Sequence, residues 1–330
     1  MKRILLVFLF LFNFLMLAAC SNTNNNTSTT TTGVEPSTST TVVDNYKLSV
    51  VAPQGAPAIA LANVAINDKD QYSFINADTL GAQFPANQKD IIIAPVNAGA
   101  KTFKANKSTY KLGAVLTWGN IYVATQRTDI ETLSDLSGKE IALFSEESIN
   151  YPIAKYALEQ NGVNATYTAL ATAAATKNKL VDEPNAIVVT AEPALTVATN
   201  QLKQQGKNVK TFSIQELYKA KTGSDYTQAA LFIKAETILN HKSVVDKFLD
   251  DVKASCDLFT TNLDKAADNV IELAIPGVPA AKPVLLNALP KCSIKYVGAL
   301  EAKADLEKTA NVDLTKFGGT LPTNDFYYSK

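Results

Sequence analysis

The sequence predicts an α/β fold in which mainly parallel sheets are flanked by helices. Short β-rich runs alternate with segments of helical periodicity over most of the chain. Hydrophobic residues make up 46% of the sequence, which is enough for a large buried core. No repeat of fixed period is visible in the sequence. Strands that alternate with helices are typical of parallel sheets covered on both faces.

The start of the chain has the pattern of a secretory signal that ends in a lipidation site. Two basic residues, Lys2 and Arg3, precede an apolar run of about 15 residues, which is shorter than the ~20 that a membrane-spanning helix needs. The run ends in Leu17-Ala18-Ala19-Cys20, which resembles a bacterial lipobox. We therefore expect a lipoprotein signal peptide over residues 1–19 and acylation of Cys20. The alternative is an ordinary signal peptide with an incidental cysteine.

A segment made almost wholly of Ser, Thr and Asn follows, over residues 20–44. It contains too little apolar surface to offset the entropy lost on ordering, so we expect a disordered tether. A tether between a lipid and a folded body keeps that body concentrated at the membrane. The sequence therefore predicts a protein that is anchored on the extracytoplasmic face of the cell membrane and does not span it.

The charge composition gives no electrostatic reason to expect a nucleic-acid partner. The chain has 31 basic and 31 acidic residues; removal of residues 1–19 takes away two basic residues and no acid, which leaves 29 against 31 and a net charge of −2. Arg127 is then the only arginine. Because arginine is the usual side chain for bidentate recognition of carboxylate or phosphate, the expected ligand site lacks the commonest anion clamp.

Few residues of the sequence could hold a metal or carry covalent catalysis. Cys256 and Cys292 either form a disulfide, which would persist outside the cell, or remain two buried free thiols. His241 is the only histidine, and neither cysteine has a partner at ligand spacing. No Ser-His or Cys-His pair is indicated. We expect a protein that is not an enzyme and that has no catalytic residue, metal or cofactor.

Hydrophobic periodicity places the strands and helices along the body of the chain. We predict strands over residues 48–51, 91–94, 112–116, 121–125, 141–144, 186–190 and 231–233. We predict clear helices over residues 56–66, 153–161, 193–205 and 244–259. From about residue 234 to the end of the chain, helices dominate.

Several motifs, taken in order, resemble those of one known group of proteins. They are APQGAPAIALAN at 52–63, DIIIAPVNAGAKTF at 90–103, YKLGAVLTWGNIYVAT at 110–125, DLSGKEIALF at 135–144 and TAEP at 190–193. The set resembles the type II substrate-binding proteins of ABC importers, in the branch that includes binders of nitrate, alkylsulfonates and the thiamine pyrimidine precursor. The resemblance depends on the order of the motifs, because each one is loose by itself.

This resemblance implies a type II periplasmic-binding-protein clamshell with two lobes joined by two crossover strands. Residues 45–118 and 232–330 would form lobe 1, and residues 119–231 would form lobe 2. The sequence agrees independently, since only Trp118, Gly119 and Asn120 separate two β-rich runs. Ligands of such folds lie outside the carboxyl ends of the strands, between the lobes.

Residues in the loops that follow the predicted strands are the candidate ligand contacts, because helices that begin there present unpaired backbone amides. Gly55 could instead be a turn glycine, and Trp118 a hinge-packing aromatic. Asn97, one of the serines and Glu192 could instead serve the ends of helices. The candidates are Gln54, Gly55, Ala56, Pro95, Asn97, Trp118, Gly119, Asn120, Ser145, Glu146, Ser148 and Glu192.

The resemblance and the export signal together imply a solute-binding lipoprotein that delivers a small molecule to an ABC permease and its ATPase. Glu146, Glu147 and Glu192 favour a neutral or cationic nitrogen heterocycle as the ligand. A small anion such as a sulfonate or nitrate, held by backbone amides, is the alternative. An envelope enzyme that uses Glu146 or Glu192, or a ligand sensor without a permease, is the alternative of another class. We expect a monomer.

Overall fold

The computed structural model describes residues 44–330 of the chain. These residues form two mixed β-sheets, each flanked by helices. The expected signal peptide, the acylation site Cys20 and almost all of the expected tether lie outside the described residues. None of the helices within residues 44–330 is long and apolar enough to cross a membrane.

The first sheet has six strands and the second has five. The strands are β1 (Val50–Pro53), β2 (Tyr72–Ile75), β3 (Ile91–Pro95), β4 (Tyr110–Thr117), β5 (Ile121–Thr125), β6 (Glu140–Phe144), β7 (Thr166–Leu170), β8 (Ile187–Ala191), β9 (Lys210–Ser213), β10 (Ala229–Lys234) and β11 (Ile294–Gly298). The strand order is β11-β4-β10-β3-β1-β2 in the first sheet and β7-β6-β8-β5-β9 in the second. All seven predicted strands are present, each within a few residues of its predicted position.

The sheets are mixed, whereas the sequence pattern predicts mainly parallel ones. The β1–β2, β1–β3, β6–β7 and β6–β8 pairs are parallel, and the pairs made by β5, β10 and β11 are antiparallel. The reason lies in the crossovers. The chain leaves the first sheet through β4 and returns through β10, so these neighbours run in opposite directions. Alternation of strands and helices does not reveal this reversal.

Helices cover both faces of the two sheets. The predicted helix over residues 56–66 is two short helices, and the other three predicted helices are confirmed with small shifts at their ends. The helices are α1 (Ala56–Ile59), α2 (Ala62–Ala65), α3 (Gln83–Ala86), α4 (Val96–Lys104), α5 (Asn150–Gln160), α6 (Ala173–Asp182), α7 (Ala194–Gln204), α8 (Ile214–Thr222), α9 (Ala235–Asn240), α10 (Lys242–Thr261), α11 (Leu263–Leu273), α12 (Lys282–Ala288) and α13 (Ala299–Ala310).

The central strand β3 shows how the first sheet is buried. Ile91 and Ile93 belong to one hydrophobic cluster, and Ile92 and Ala94 belong to another on the opposite face. Alternate side chains of a strand point to opposite faces, so the sheet has a core on each side. Burial of an isoleucine side chain contributes about 1.5–3 kcal/mol, which makes this strand a major source of stability. A strand buried on both faces is typically a continuous apolar run.

We use lobe 1 for the first sheet with its helices, and lobe 2 for the second sheet with α5 to α8. Strands β5 to β9 all fall between the two crossover strands in the sequence, and β10 lies wholly in the first sheet. The predicted division into residues 45–118 plus 232–330 and residues 119–231 has nearly the same limits. The exact limits stay a prediction.

Cys256 and Cys292 are free thiols, so the disulfide that we considered between them is absent from the described structure. Both are buried in the hydrophobic cluster between the first sheet and α10. The thiol of Cys256 lies 3.8 Å from the carbonyl oxygen of Ala60. Burial raises the pKa of both thiols, and a protonated thiol is a poor nucleophile. The second of our two interpretations, two buried thiols, describes this pair.

Candidate functional site

A cleft of about 690 Å³ lies where strand ends of the two sheets face each other. Its walls are the loops that follow β1, β2 and β3 in lobe 1 and β6, β7 and β8 in lobe 2. Asn120, between β4 and β5, and Gln228, before β10, lie where the chain crosses between the lobes and also line the cleft. A cleft of this size suits a small molecule, and its position at the carboxyl ends of strands is the usual one in such folds.

Most of the predicted contacts line this cleft. They come from two loops of lobe 1, from the crossover and from two loops of lobe 2. Those that line it are Gln54, Gly55, Ala56, Pro95, Asn120, Ser145, Glu146, Ser148 and Glu192. Asn97, Trp118 and Gly119 are not among the lining residues, and each has a structural reason for its different position.

The first wall is the tight turn between β1 and α1. Gly55 has φ +93° and ψ −152°, a backbone conformation that residues with a side chain rarely adopt. The place that a Cβ atom would take has no other atom within 4 Å. No side chain caps the start of α1. Gly55 is therefore both a required turn glycine and an open point where a ligand can approach the backbone.

The loop after β6 crosses towards lobe 1 and is held there by Asn97. The amide Nδ2 of Asn97 donates to the carbonyl oxygen of Glu147 (3.0 Å), and its Oδ1 accepts from the backbone amide of Ile149 (3.3 Å). Both ends of this side chain are used inside the protein, so Asn97 positions the loop and does not line the cleft. Within the loop, Ser145 has φ +55°, a strained conformation that is often found at binding sites.

Trp118 packs in the hinge and does not face the cleft. Its side chain is buried, with 4% of its surface exposed, and its indole N–H donates to the carbonyl oxygen of Lys295 (2.9 Å). The ammonium group of Lys295 lies 5.6 Å from the ring centroid, within range of a cation–π interaction. The next residue, Gly119, has φ +85°, and a Cβ atom there would clash with Gln215 and Tyr226. Trp118 and Gly119 therefore pack at the crossover between the lobes. This position agrees with the alternative interpretation of Trp118 as a hinge-packing aromatic.

Glu192 lines the cleft, but its carboxylate is hydrogen-bonded to the first turn of α7. The two carboxylate oxygens accept hydrogen bonds from the backbone amide (3.0 Å) and the hydroxyl (2.9 Å) of Thr196. Only 2% of the residue surface is exposed. Burial raises the pKa of this carboxyl, against the opposing effect of Thr196 and of nearby Lys291. Glu192 thus satisfies the start of a helix at the cleft wall, which is the second role that the sequence suggests for it.

Three amide side chains meet at the floor of the cleft. The Nε2 of Gln228 donates to Oδ1 of Asn120 (2.8 Å) and to Oδ1 of Asn150 (3.2 Å). The Nδ2 of Asn120 in turn donates to the backbone carbonyl of Glu192 (3.0 Å). We call Asn120, Gln228 and Asn150 the amide triad. The sequence indicates Asn120 only, because Gln228, just before β10, and Asn150, the first residue of α5, lie outside the strands and helices that periodicity predicts.

Near the start of each lobe 2 helix that begins at the cleft, one backbone amide is already bonded to a side chain of the protein. Thr172 accepts a hydrogen bond from the amide of Ala175 at the start of α6 (3.1 Å), and Glu192 does the same for Thr196 in α7. At the start of α5, the hydroxyl of Ser148 accepts from the amide of Asn150 (3.3 Å). These three amides are not free to bind a ligand, and of the three helices only α6 has a side-chain cap at its N-terminal residue.

The charged side chains that line the cleft are all acidic. They are Asp78, Glu146, Glu147 and Glu192, and no Lys, Arg or His of the described residues is among the lining residues. Arg127 lies elsewhere, on lobe 2, where Asp129 binds its guanidinium group through contacts of 2.9 and 2.5 Å. Arg127 therefore takes no part in lining the cleft.

Comparison with known protein families identifies the family of this chain. Residues 96–266, just over half of the chain, match the family described as NMT1/THI5 like. The chain belongs to the NMT1/THI5-like family. The match spans α4, the whole of lobe 2, the return strand β10 and the start of the C-terminal helices, and so includes the lobe 2 wall of the cleft. No curated protein sequence matches this NMT1/THI5-like chain.

Solved structures share the fold at low sequence identity. An ABC transporter structure from Parabacteroides distasonis is 18% identical, with a TM-score of 0.70 over 86% of this chain and 99% of that chain. The ligand-binding component of an ABC-type import system from Staphylococcus aureus, with zinc bound, is 14% identical, with a TM-score of 0.64 over 85% and 96%. The aliphatic sulphonate binding protein SsuA from Escherichia coli is 14% identical, with a TM-score of 0.59 over 86% and 92%.

These similarities confirm the predicted fold class and family branch of the NMT1/THI5-like chain. The described residues contain no group of three or more His, Cys, Asp and Glu residues that could hold a metal ion. The fold is shared, and the ligand has to be inferred from the residues of this cleft.

Proposed function

We propose that this protein is the solute-binding lipoprotein of an ABC importer and that its cargo is a neutral or cationic, nitrogen-containing small molecule. One observation carries the proposal: a cleft of about 690 Å³ between two sheets, at the carboxyl ends of their strands, whose charged lining residues are all acidic. Membership of the NMT1/THI5-like family and the fold shared with ABC import proteins support the transport role.

The sequence supports the proposed location on the extracytoplasmic face of the cell membrane. A signal peptide over residues 1–19, lipidation at Cys20 and a polar tether would hold the folded part close to a permease. The partners in this proposal are the small molecule, an ABC permease with its ATPase, and the membrane through the lipid. The protein acts as a monomer and binds no nucleic acid.

Capture in this proposal depends on the two lobes and their shared hinge. The solute enters between open lobes, contacts both walls, and favours the closed arrangement because only that arrangement provides all the contacts together. Asn97 reaches from lobe 1 to the loop after β6, and Gln228 reaches from the crossover to Asn150. The closed form then docks on the permease. The proposal contains no chemical step, so the solute is delivered unchanged.

The first experiment is a binding screen on the chain from residue 20 onward with Cys20→Ala, which removes the acylation site. The melting temperature is followed against aminopyrimidines, flavins, amino acids, alkylsulfonates and nitrate. A solute that binds only the folded state stabilises it by about 2.7 kcal/mol at a hundredfold excess over Kd. We expect a saturable rise with a neutral or cationic nitrogen compound, and recovery of that compound unchanged.

Other results of the screen would contradict parts of the proposal. A rise with nitrate or a sulfonate alone would keep the binding role and reverse the cargo class. A chemically altered solute would replace transport with catalysis. A flat response to every class would remove the solute-binding role. The genes on either side provide a second test, since a neighbouring permease or ATPase gene favours transport over ligand sensing.

A further inference from the structure

Gln228, which lines the floor of the cleft, has a buried acceptor atom without a partner among the described residues. Gln228 lines the cleft with 9% of its surface exposed, and its Oε1 is buried with no hydrogen-bond partner among the described residues. Buried polar atoms are nearly always hydrogen-bonded, so an unpartnered one at a binding cleft needs an explanation. A donor group of the bound solute would supply the missing bond.

The hydrogen bonds of the amide triad fix which end of the Gln228 side chain is free. Asn120 donates its Nδ2 to the carbonyl of Glu192, so its Oδ1 is the atom that faces Gln228. An oxygen at that place requires a donor opposite, and the donor of Gln228 is Nε2. The Oε1 of Gln228 must therefore be the end that has no partner. The orientation follows from the network and is not an arbitrary choice between two similar ends of an amide.

The backbone of Gln228 is held as firmly as its side chain. Its N–H donates to the carbonyl of Thr117 at the end of β4, and its carbonyl accepts from the N–H of Val96 at the start of α4, both at 3.0 Å. Gln228 is thus fixed between the two crossover strands and the first helix after β3. A side chain fixed in this way offers a pre-positioned acceptor, which is what discrimination between similar solutes requires.

Asn150 provides the complementary group. Its Oδ1 is occupied by Gln228, whereas its Nδ2 has no hydrogen-bond partner within residues 44–330. The amide triad therefore presents one unused acceptor, on Gln228, and one unused donor, on Asn150. Solutes that carry an N–H group beside an acceptor, such as amides and amino heterocycles, match this pair.

We infer that Gln228 is a specificity-determining residue and that the solute donates an N–H hydrogen bond to its Oε1. The inference depends on the proposed function, because it assumes that the cleft binds a solute. It goes further by assigning one contact atom and the chemical group that meets it. Nitrate and alkylsulfonates, which have no N–H to donate, would leave Oε1 unpartnered beside an acidic lining.

The test uses pairs of compounds of equal size in which CH₃ replaces NH₂. One pair is 4-aminopyrimidine and 4-methylpyrimidine, and the other is nicotinamide and 3-acetylpyridine; nitrate and methanesulfonate complete the set. Calorimetric titration of the chain with Cys20→Ala compares each pair. We expect the NH₂ member of at least one pair to bind roughly tenfold more tightly than its CH₃ partner. This measurement does not depend on any further variant folding.

Two matched variants then assign the preference to one residue. Gln228→Met removes the acceptor and should abolish the preference for NH₂ over CH₃. Gln215→Met is the control, because Gln215 also has a buried Oε1 without a partner but does not line the cleft. It should keep both the affinity and the preference. The melting temperatures of the free variants show whether each one is folded.

The outcomes separate this inference from the proposed function. Loss of the preference in Gln228→Met alone supports the inference. Equal binding of both members of each pair, or a preference that survives Gln228→Met, overturns it and leaves the solute-binding role intact; a water molecule then satisfies Oε1. Tight binding of nitrate or methanesulfonate would also overturn the inference about Gln228 and leave the solute-binding role intact. Failure of every compound to bind would count against the proposed function and this inference together.

Discussion

The two carboxylate oxygens of Glu192 bind two different groups of Thr196, the backbone amide at 3.0 Å and the hydroxyl at 2.9 Å. This arrangement closes the first turn of α7 over the cleft wall and keeps a buried acid fully hydrogen-bonded. Both oxygens of the Glu192 carboxylate are therefore already engaged within the protein. The acid is part of the wall, and its protonation should affect the stability of the folded state.

Stability should fall with rising pH because of Glu192. Burial raises the pKa of this carboxyl in the folded state, so the folded state binds its proton more readily than the unfolded chain does. The free energy of unfolding that this group contributes is then largest below its ordinary pKa and is lost as pH rises through the raised folded pKa. Urea unfolding of the wild-type protein and of Glu192→Gln, from about pH 4 to pH 8, measures how the free energy of unfolding depends on pH.

We expect the curve of Glu192→Gln to lack this decrease, since glutamine has no proton to lose and keeps an oxygen for Thr196. Glu146→Gln serves as the control, because the side chain of Glu146 is exposed on the same cleft. Identical pH dependence of wild type and Glu192→Gln would show that burial of Glu192 does not govern this part of the curve.

Replacement of Gly55 by alanine should reduce both stability and binding. At φ +93° an alanine is strained, which we expect to lower the free energy of unfolding by about 1 kcal/mol or more. The added methyl group would also occupy the open space at the turn that lines the cleft. Thermal unfolding and titration with the best compound of the binding screen measure the two effects.

Gly162→Ala is the matched control for this substitution. Gly162 has φ +86°, also has open space at the Cβ position, and lies on the surface after α5, away from the cleft. It should show a similar loss of stability with unchanged affinity. If both variants bind equally well, Gly55 is a turn glycine only.

The sequence predicts the central strands well and misses the edges of both sheets. The four strands that it does not predict are β2 and β11, the two edges of the first sheet, and β7 and β9, the two edges of the second. An edge strand has a neighbour on one side only and is less buried, so its residues need not be apolar. β9 reads Lys-Thr-Phe-Ser with no buried residue, whereas every residue of β3 except the last is buried. Hydrophobic runs reveal strands only where burial requires them.

The candidate site shows a similar limit. The loops after several strands line the cleft, because strand direction in an α/β fold brings those ends together. The role of each side chain depends on partners that are far away in the sequence. Asn97 is hydrogen-bonded to Ile149, in the loop after β6. Gln228 is hydrogen-bonded to Asn120, which lies 108 residues before it in the sequence. No local pattern reports such a pairing.

The two cysteines provide a simple chemical test of the structure. Cys256 and Cys292 are free and buried, and burial raises the pKa of both thiols. In the chain with Cys20→Ala, the folded protein should therefore react very slowly with a thiol reagent, and the denatured protein should react at both cysteines without prior reduction. Thiol counting with and without denaturant measures this. A denatured protein that reacts only after reduction would demonstrate a disulfide.

Loss of the Asn97 side chain should loosen the contact between the lobes. Asn97→Ala removes the bond to the carbonyl of Glu147 and the bond from the amide of Ile149, and leaves both backbone groups without these partners. We expect a decrease of about 1–3 kcal/mol in the free energy of unfolding. Because the two bonds join α4 of lobe 1 to the loop after β6 in lobe 2, the free protein should also become more open, with a larger radius of gyration in solution scattering.

Asn161→Ala tests whether this opening is specific to the contact between lobes. The Nδ2 of Asn161 donates to the carbonyls of Ala157 (2.7 Å) and Leu217 (3.1 Å), so its two bonds lie within lobe 2. This variant should lose a comparable amount of stability and keep the radius of gyration of the wild type. A saturating solute should restore the compact form of Asn97→Ala, because the contacts of the solute with both walls replace the missing ones. An unchanged radius in Asn97→Ala would mean that the hinge residues around Trp118 hold the lobes together without Asn97.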